Sequence, residues 1–140
     1  MVSLEKNGKP MKHYPLPEAL TAADAVIVAN GDFPKHPLPL SLLGTGLPIV
    51  CCDGALRKLL DAEVMPTIVI GDCDSLSEQE RNQYAHMICR ITEQESNDLT
   101  KAVRHCIAQG WKNLIILGAT GKREDHSIAN ISLLADYLDI

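Results

Sequence analysis

Two aspartates two residues apart stand inside Gly71-Asp72-Cys73-Asp74-Ser75. At that spacing both side chains can project to the same side of an extended segment. Two carboxylates about 4 Å apart repel by about 4 kcal/mol at an effective dielectric of 20, so the pair is unfavourable unless a cation or strong donors offset it. An all-oxygen set of this kind suits Mg²⁺, which takes one or two carboxylates together with water and phosphate oxygens. Further along, Asp98 falls in the first turn of a helical pattern, with Lys101 three residues later on the same face. A lysine beside carboxylates serves as a structural ion pair or as a phosphate-binding charge. Lys122-Arg123, between Gly121 and Asp125, is a second place where cations suit phosphate. Each aspartate alone is also a good turn former or helix cap. It is the collection of Asp72, Asp74 and Asp98 with Lys101 that points to a metal-assisted phosphate site.

The elements that must position these residues can be read from periodicity. Short apolar runs occupy 25–29 (AVIVA), 48–52 (PIVCC), 67–70 (TIVI), 87–91 (MICRI) and 113–117 (NLIIL). They are rich in Val and Ile without strict polar alternation, as in strands of a parallel sheet buried on both faces. Helical patterns fall between and after them, over 55–62, 77–85, 97–109 and 126–140. The second opens with Ser77 and Glu80 at capping-box spacing, and the third stops at Gly110, a natural C-terminal cap. The expected fold is α/β, a three-layer Rossmann-like domain with a mainly parallel sheet. Residues 1–24 read as an N-terminal arm or peripheral element, and 25–140 as the α/β domain.

Ligands of such sheets bind beyond the carboxyl ends of the strands. Asn30-Gly31-Asp32, Asp53-Gly54-Ala55, the Gly71–Ser75 stretch, 92–98 and 118–126 follow the five runs in turn, so parallel strands would gather them on one edge. Glycines there let backbone amides approach a ligand. His126 suits a ligand contact or the cap of the last helix equally. Gly118-Ala119-Thr120-Gly121-Lys122 is not a P-loop, which needs four residues between its glycines and Ser or Thr after the lysine.

Composition excludes other classes. The 140 residues carry a formal charge of -5 and only 4% aromatics, against a nucleic-acid surface. The acidity is local: residues 51–100 hold ten Asp/Glu and four Lys/Arg, a net of -6, and the remainder is near neutral. The longest stretch without Asp, Glu, Lys or Arg, 36–52, is broken by Pro37, Pro39 and Pro48, so no membrane helix is expected. The N-terminus has no apolar core of a secretory signal. Five cysteines without ligand spacing read mainly as small core residues, and reduced thiols suggest a cytoplasmic protein.

These motifs together resemble the thiamine pyrophosphokinase (thiamine diphosphokinase) family, over residues 25–140. The matching residues are Asp53-Gly54-Ala55, Gly71-Asp72-Cys73-Asp74-Ser75, Gln94 with Asp98 and Lys101, and Gly118, Gly121, Arg123, Asp125 and His126 followed by Asn130. The resemblance implies transfer of pyrophosphate from ATP to the hydroxyl of thiamine, giving thiamine diphosphate and AMP. It implies Mg²⁺ among Asp72, Asp74 and Asp98, with Gln94 and Lys101 near the phosphates or the attacking hydroxyl. It puts Asn30, Gly31, Asp53, Gly54, Gly118, Thr120, Gly121, Arg123, Asp125, His126 and Asn130 around the nucleotide. Asp98 is the candidate to assist deprotonation. Glu95 departs from the pattern, standing where Asp is more usual after Gln94. Family members also carry a second, β-rich domain that helps bind thiamine at a homodimer interface, and the length here matches the catalytic part alone. Two other readings compete: a nucleotide-binding module without turnover, and a phosphohydrolase with Asp72 as nucleophile.

Overall fold

Residues alternate sides along each strand, and the apolar runs therefore feed two separate cores. In β1 (Ala25–Val28), Val26 and Val28 enter one core and Ala25 and Ile27 the other. In β2 (Ile49–Cys52), Ile49 and Cys51 face the first and Val50 and Cys52 the second. Every residue of both strands is buried, which accounts for the lack of polar alternation. β3 (Ile68–Gly71), β4 (Ile88–Arg90) and β5 (Leu114–Leu117) complete a five-stranded sheet in the order β4-β3-β2-β1-β5, every pair parallel. A computed structural model of the chain describes residues 23–120. The expected helix over 126–140 and most of the 1–24 arm lie outside the described residues.

The first core is covered by α1 (Pro37–Leu42) and α2 (Leu56–Asp61), through Leu42, Leu43, Leu56 and Leu59. Leu76 and Tyr84, on either side of α3 (Glu78–Gln83), join them. The second core is covered by α4 (Asp98–Ala108), which buries Leu99, Ala102, Val103 and Cys106. This division follows from the strand order. Connections from β1 through β4 run one way across the sheet, and the connection to β5 runs back over all of them. Right-handed crossovers then require helices on opposite faces. The expected three-layer Rossmann-like architecture is observed, and the order in which strands are added reverses between β1 and β5.

Local chemistry sets the helix ends. Ser77 Oγ accepts from the Glu80 N–H at 3.1 Å and Glu80 Oε1 accepts from the Ser77 N–H at 3.2 Å, the reciprocal pair expected at that spacing. Asn97 Oδ1 accepts from the Thr100 N–H at 2.9 Å, opening α4. Gly110, at φ +87°, closes it: its N–H reaches the Ile107 carbonyl at 2.9 Å and the Trp111 N–H reaches that of Cys106 at 3.0 Å.

Helix α1 is absent from the periodicity reading because Pro37 and Pro39 look like breakers. They occupy the first and third helical positions, where backbone N–H groups have no partner in the helix, so neither proline removes a bond. Cys51, Cys52, Cys73 and Cys106 are buried and Cys89 is partly so, all as free thiols, with Cys51 and Cys52 on opposite faces of the sheet. Burial pushes the Cys51 thiol up to about 12, which leaves it unreactive. Among the described residues no helix is long and apolar enough to cross a membrane.

Candidate active site

The carboxyl ends of the five strands carry two clusters, one on each side of β1. The first lies where the strand order reverses, between β1 and β5, the position where open parallel sheets leave a crevice. Here the Gly31 N–H donates to the Gly118 carbonyl at 2.6 Å and the Asp32 N–H donates to the Thr120 carbonyl at 2.8 Å. A Cβ on Gly31 would lie 2.3 Å from the Thr120 oxygen and 2.4 Å from that of Gly118, so only glycine allows these loops to meet. The Asn30 amide lies directly over Gly54, within 2.3 Å of where a Cβ would stand. Lys58, reaching up from α2, donates from Nζ to the Gly31 carbonyl at 3.3 Å. The structure thus brings together Asn30, Gly31, Gly54, Gly118 and Thr120. Gly121, Arg123, Asp125, His126 and Asn130 lie outside the described residues.

The second cluster spans the ends of β2, β3 and β4 and the start of α4. Asp53 is buried, only 5% exposed, in the short 3₁₀ turn after β2. Its Oδ2 accepts from the Cys73 N–H at 2.8 Å. Burial, reinforced by the charges of Asp98 and Asp72, pushes its carboxyl up to about 6, against the opposing effect of N–H groups donated by Cys73 and Gly54. Asp72 goes the other way. Its Oδ1 accepts from the Asp74 N–H at 3.0 Å, and this bond, with hydrogen bonding to Asp53 and Gln94 and the nearby Lys101 charge, holds its carboxyl below the usual range. Lys101 is 5% exposed; its Nζ lies 3.8 Å from Asp98 Oδ1 and donates to the Ile91 carbonyl at 3.4 Å. Gln94 donates from Nε2 to the Thr92 carbonyl at 2.9 Å.

Asp72, Asp98, Lys101 and Gln94 therefore share one neighbourhood, together with Asp53, which the sequence reading put with the nucleotide rather than the carboxylates. Asp74 is directed differently. Its side chain is 72% exposed, with Oδ1 3.7 Å from Arg90 Nη2. Among the described residues no three of His, Cys, Asp and Glu converge to hold a metal ion by themselves. The donor set is still one of hard oxygens carrying mutually unfavourable negative charge, which fits Mg²⁺ completed by phosphate and water oxygens.

Three contributors escaped the sequence reading. Arg90 donates from Nε to the Asp72 carbonyl at 2.9 Å, tying β4 to the acidic turn. A charge at the end of an otherwise apolar run was the available signal. Cys73 adopts φ +65° and is fully buried, so the middle of the acidic motif points into the core. Lys58 carried no signal beyond its place in an amphipathic helix.

The family model for the thiamin pyrophosphokinase catalytic domain matches residues 42–139, a stretch that holds all these motifs except Asn30-Gly31. Thiamin pyrophosphokinase 1 of Caenorhabditis elegans is 30% identical over 99 residues, covering 64% of this chain and 40% of that protein. Thiamine pyrophosphokinase of Bacillus subtilis (strain 168) is 35% identical over 86 residues, covering 59% of this chain and 40% of that protein. The crystal structure of thiamin pyrophosphokinase from Geobacillus thermodenitrificans superposes with a TM-score of 0.67 at 26% identity, covering 83% of this chain and 56% of that one. The chain spans about half the length of the relatives it matches. With the catalytic-domain match covering most of its residues and the motif carboxylates gathered at the carboxyl edge of a parallel sheet, the chain belongs to the thiamin pyrophosphokinase family.

Proposed function

We propose that this chain binds Mg-ATP and, with the remainder of a full-length family enzyme, transfers pyrophosphate to thiamine. The observation that carries the reading is the gathering of Asp72, Asp98, Gln94 and the buried Lys101 beside a glycine-lined crevice, within the stretch matched to the catalytic domain. In this reading Asn30, Gly31, Gly54, Gly118 and Thr120 line the nucleotide, and Arg123, Asp125, His126 and Asn130 complete that side. Asp72 and Asp98 are the residues to hold Mg²⁺, with Asp74 at the rim against Arg90. When bound, the ion supplies positive charge to the phosphate oxygens.

The reaction asks for positioning and charge more than for covalent chemistry. The thiamine hydroxyl oxygen bonds to the β-phosphorus, the bond from that phosphorus to the α–β bridging oxygen breaks, and AMP leaves with that oxygen. The hydroxyl proton must be lost, and Asp98 is the carboxylate we assign to assist. Lys101 faces the phosphates as a cation pre-set by burial and by its contact with Asp98, so little reorganisation is needed as charge moves to the leaving group. Gln94 orients the phosphates or the hydroxyl through its amide.

Product analysis with ATP, Mg²⁺ and thiamine tests the reading on the full-length enzyme carrying this domain. AMP and thiamine diphosphate in equal amounts are expected, and lost in Asp72→Asn. Inorganic phosphate as the product would contradict it and favour a hydrolase. A second reading is nucleotide binding without transfer, which ATP binding with neither AMP nor thiamine diphosphate formed would favour.

A further inference from the structure

The turn that presents Asp72 is unfavourable on its own. Cys73 lies at φ +65°, a region that costs a non-glycine residue about 1–2 kcal/mol. Gly71 is at φ +149°. Something must hold this conformation, and three contacts do. Cys73 is fully buried among the residues of the first core, with Sγ directed to the Gly71 carbonyl at 3.7 Å. Arg90 Nε donates to the Asp72 carbonyl at 2.9 Å from the adjoining strand. Asp53 Oδ2, from the end of β2, accepts the Cys73 N–H at 2.8 Å.

The Asp53 contact is the most constrained. Its carboxylate lies so close against Gly71 that a Cβ there would meet Oδ2 at 2.5 Å and Cγ at 2.7 Å. The residue is 5% exposed, and its carboxylate is engaged by the Cys73 and Gly54 N–H groups and by hydrogen bonding to Asp72. Held from within by these N–H groups and only 5% exposed, the carboxylate presents little surface to a ligand. A buried N–H without its acceptor would cost about 1–3 kcal/mol, enough to release a turn that is already strained.

We infer that Asp53 is a positioning residue: it fixes the turn at 71–74, and through it the Asp72 carboxylate, without touching nucleotide itself. This differs from the nucleotide-lining place that the resemblance implies for Asp53. It rests on the proposed Mg-ATP site for its consequence, but the turn contact stands independently of that site. Asparagine has the shape of aspartate and keeps an oxygen to accept the Cys73 N–H, while its amide can donate to Asp72. Alanine keeps neither.

The test combines two readouts on the chain with Asp53→Asn and Asp53→Ala. The first is the native-state alkylation rate of Cys73, resolved by mass spectrometry, without metal or nucleotide. The second is Mg-ATP affinity by calorimetry. Asp53→Asn is expected to leave Cys73 protected and affinity within about threefold of wild type, since the hydrogen bond is kept. Asp53→Ala is expected to speed alkylation and weaken Mg-ATP at least about tenfold, the equivalent of one lost buried bond. If Asp53→Ala does not fold, Gly71→Ala attacks the same contact from the other side and is expected to free Cys73 likewise. Asp53→Asn losing Mg-ATP affinity with Cys73 still protected would overturn the inference, because the carboxylate charge itself would then be the requirement. So would a Cys73 that stays protected in Asp53→Ala or, where that variant does not fold, in Gly71→Ala. Should the wild-type chain bind no Mg-ATP, the functional reading fails, and Cys73 alkylation alone still decides whether Asp53 holds the turn.

Discussion

The two sides of the sheet's carboxyl edge are built on different principles. At the β1/β5 side, loops are laced by backbone bonds between Gly31 and Gly118 and between Asp32 and Thr120, with no room for a side chain at Gly31. At the β2/β3/α4 side, Asp53, Asp72 and Asp98 crowd beside Lys101; burial and the charges of Asp98 and Asp72 raise the proton affinity of Asp53, while the Asp74 N–H and the Lys101 charge help lower that of Asp72. The first side is specified by shape and the second by charge. A substitution that adds volume should therefore act mainly on the first, and one that removes the charge of a carboxylate facing the site, such as Asp72, mainly on the second. That is the division a nucleotide would need if its base and ribose met the first side and its phosphates the second.

The sharpest separation comes from Asp72→Asn. It keeps the side-chain shape, so the fold should hold, while Mg²⁺-dependent ATP affinity should drop by about 100-fold or more, as loss of a charge-assisted contact in a preorganised site predicts. Gly31→Val does the reverse. Its side chain must displace the Thr120 and Gly118 carbonyls, and unfolding stability should fall by about 3 kcal/mol, read as a lower denaturant midpoint. A Gly31→Val protein as stable as wild type would break the idea that shape governs this side.

A third test uses pH. The Asp53 carboxyl is held near 6 in the folded chain, above its usual 3.8, so the folded state binds this proton more tightly than the unfolded state does. Stability from this group is therefore present at low pH and is lost as pH rises through about 6, an effect of at most about 3 kcal/mol. Without metal, the melting temperature should be higher at pH 5 than at pH 7.5, and Asp53→Asn should flatten that slope. Below about pH 4 the trend should reverse, because Asp72, Glu80 and Glu93 have lowered proton affinities and lose their hydrogen bonds on protonation. A melting temperature that climbs from pH 5 to pH 7.5 would contradict the crowding of carboxylates at this side.

The smallest effect belongs outside both sides. Ser77→Ala removes the cap of α3 and should lower stability by about 1 kcal/mol with Mg-ATP affinity unchanged.

What could be read from the sequence tracks the range of the forces involved. The capping box at Ser77 and Glu80, the Gly110 cap and the double burial of β1 and β2 are found as expected, whereas β4 and β5, at the two edges of the sheet, are only partly buried. The strand order depends on contacts between distant segments and had no local sign. Helix α1 was hidden because prolines are read as breakers until their position in the first turn is known. In the site, the gathering of Asp72, Asp98 and Lys101 followed from parallel topology. The inward turn of Asp53 and the outward pairing of Asp74 with Arg90 did not, since both go with the left-handed conformation of Cys73 that Asp53 helps to hold, which no spacing reveals.

The charge-built side is the centre of the functional account, and calorimetry of ATP binding with and without Mg²⁺, on wild type and Asp72→Asn, tests it most directly. Mg²⁺ should tighten ATP binding to wild type at least about tenfold and leave Asp72→Asn unimproved. ATP binding that is equally tight in excess chelator, or equally Mg²⁺-dependent in both proteins, would contradict it.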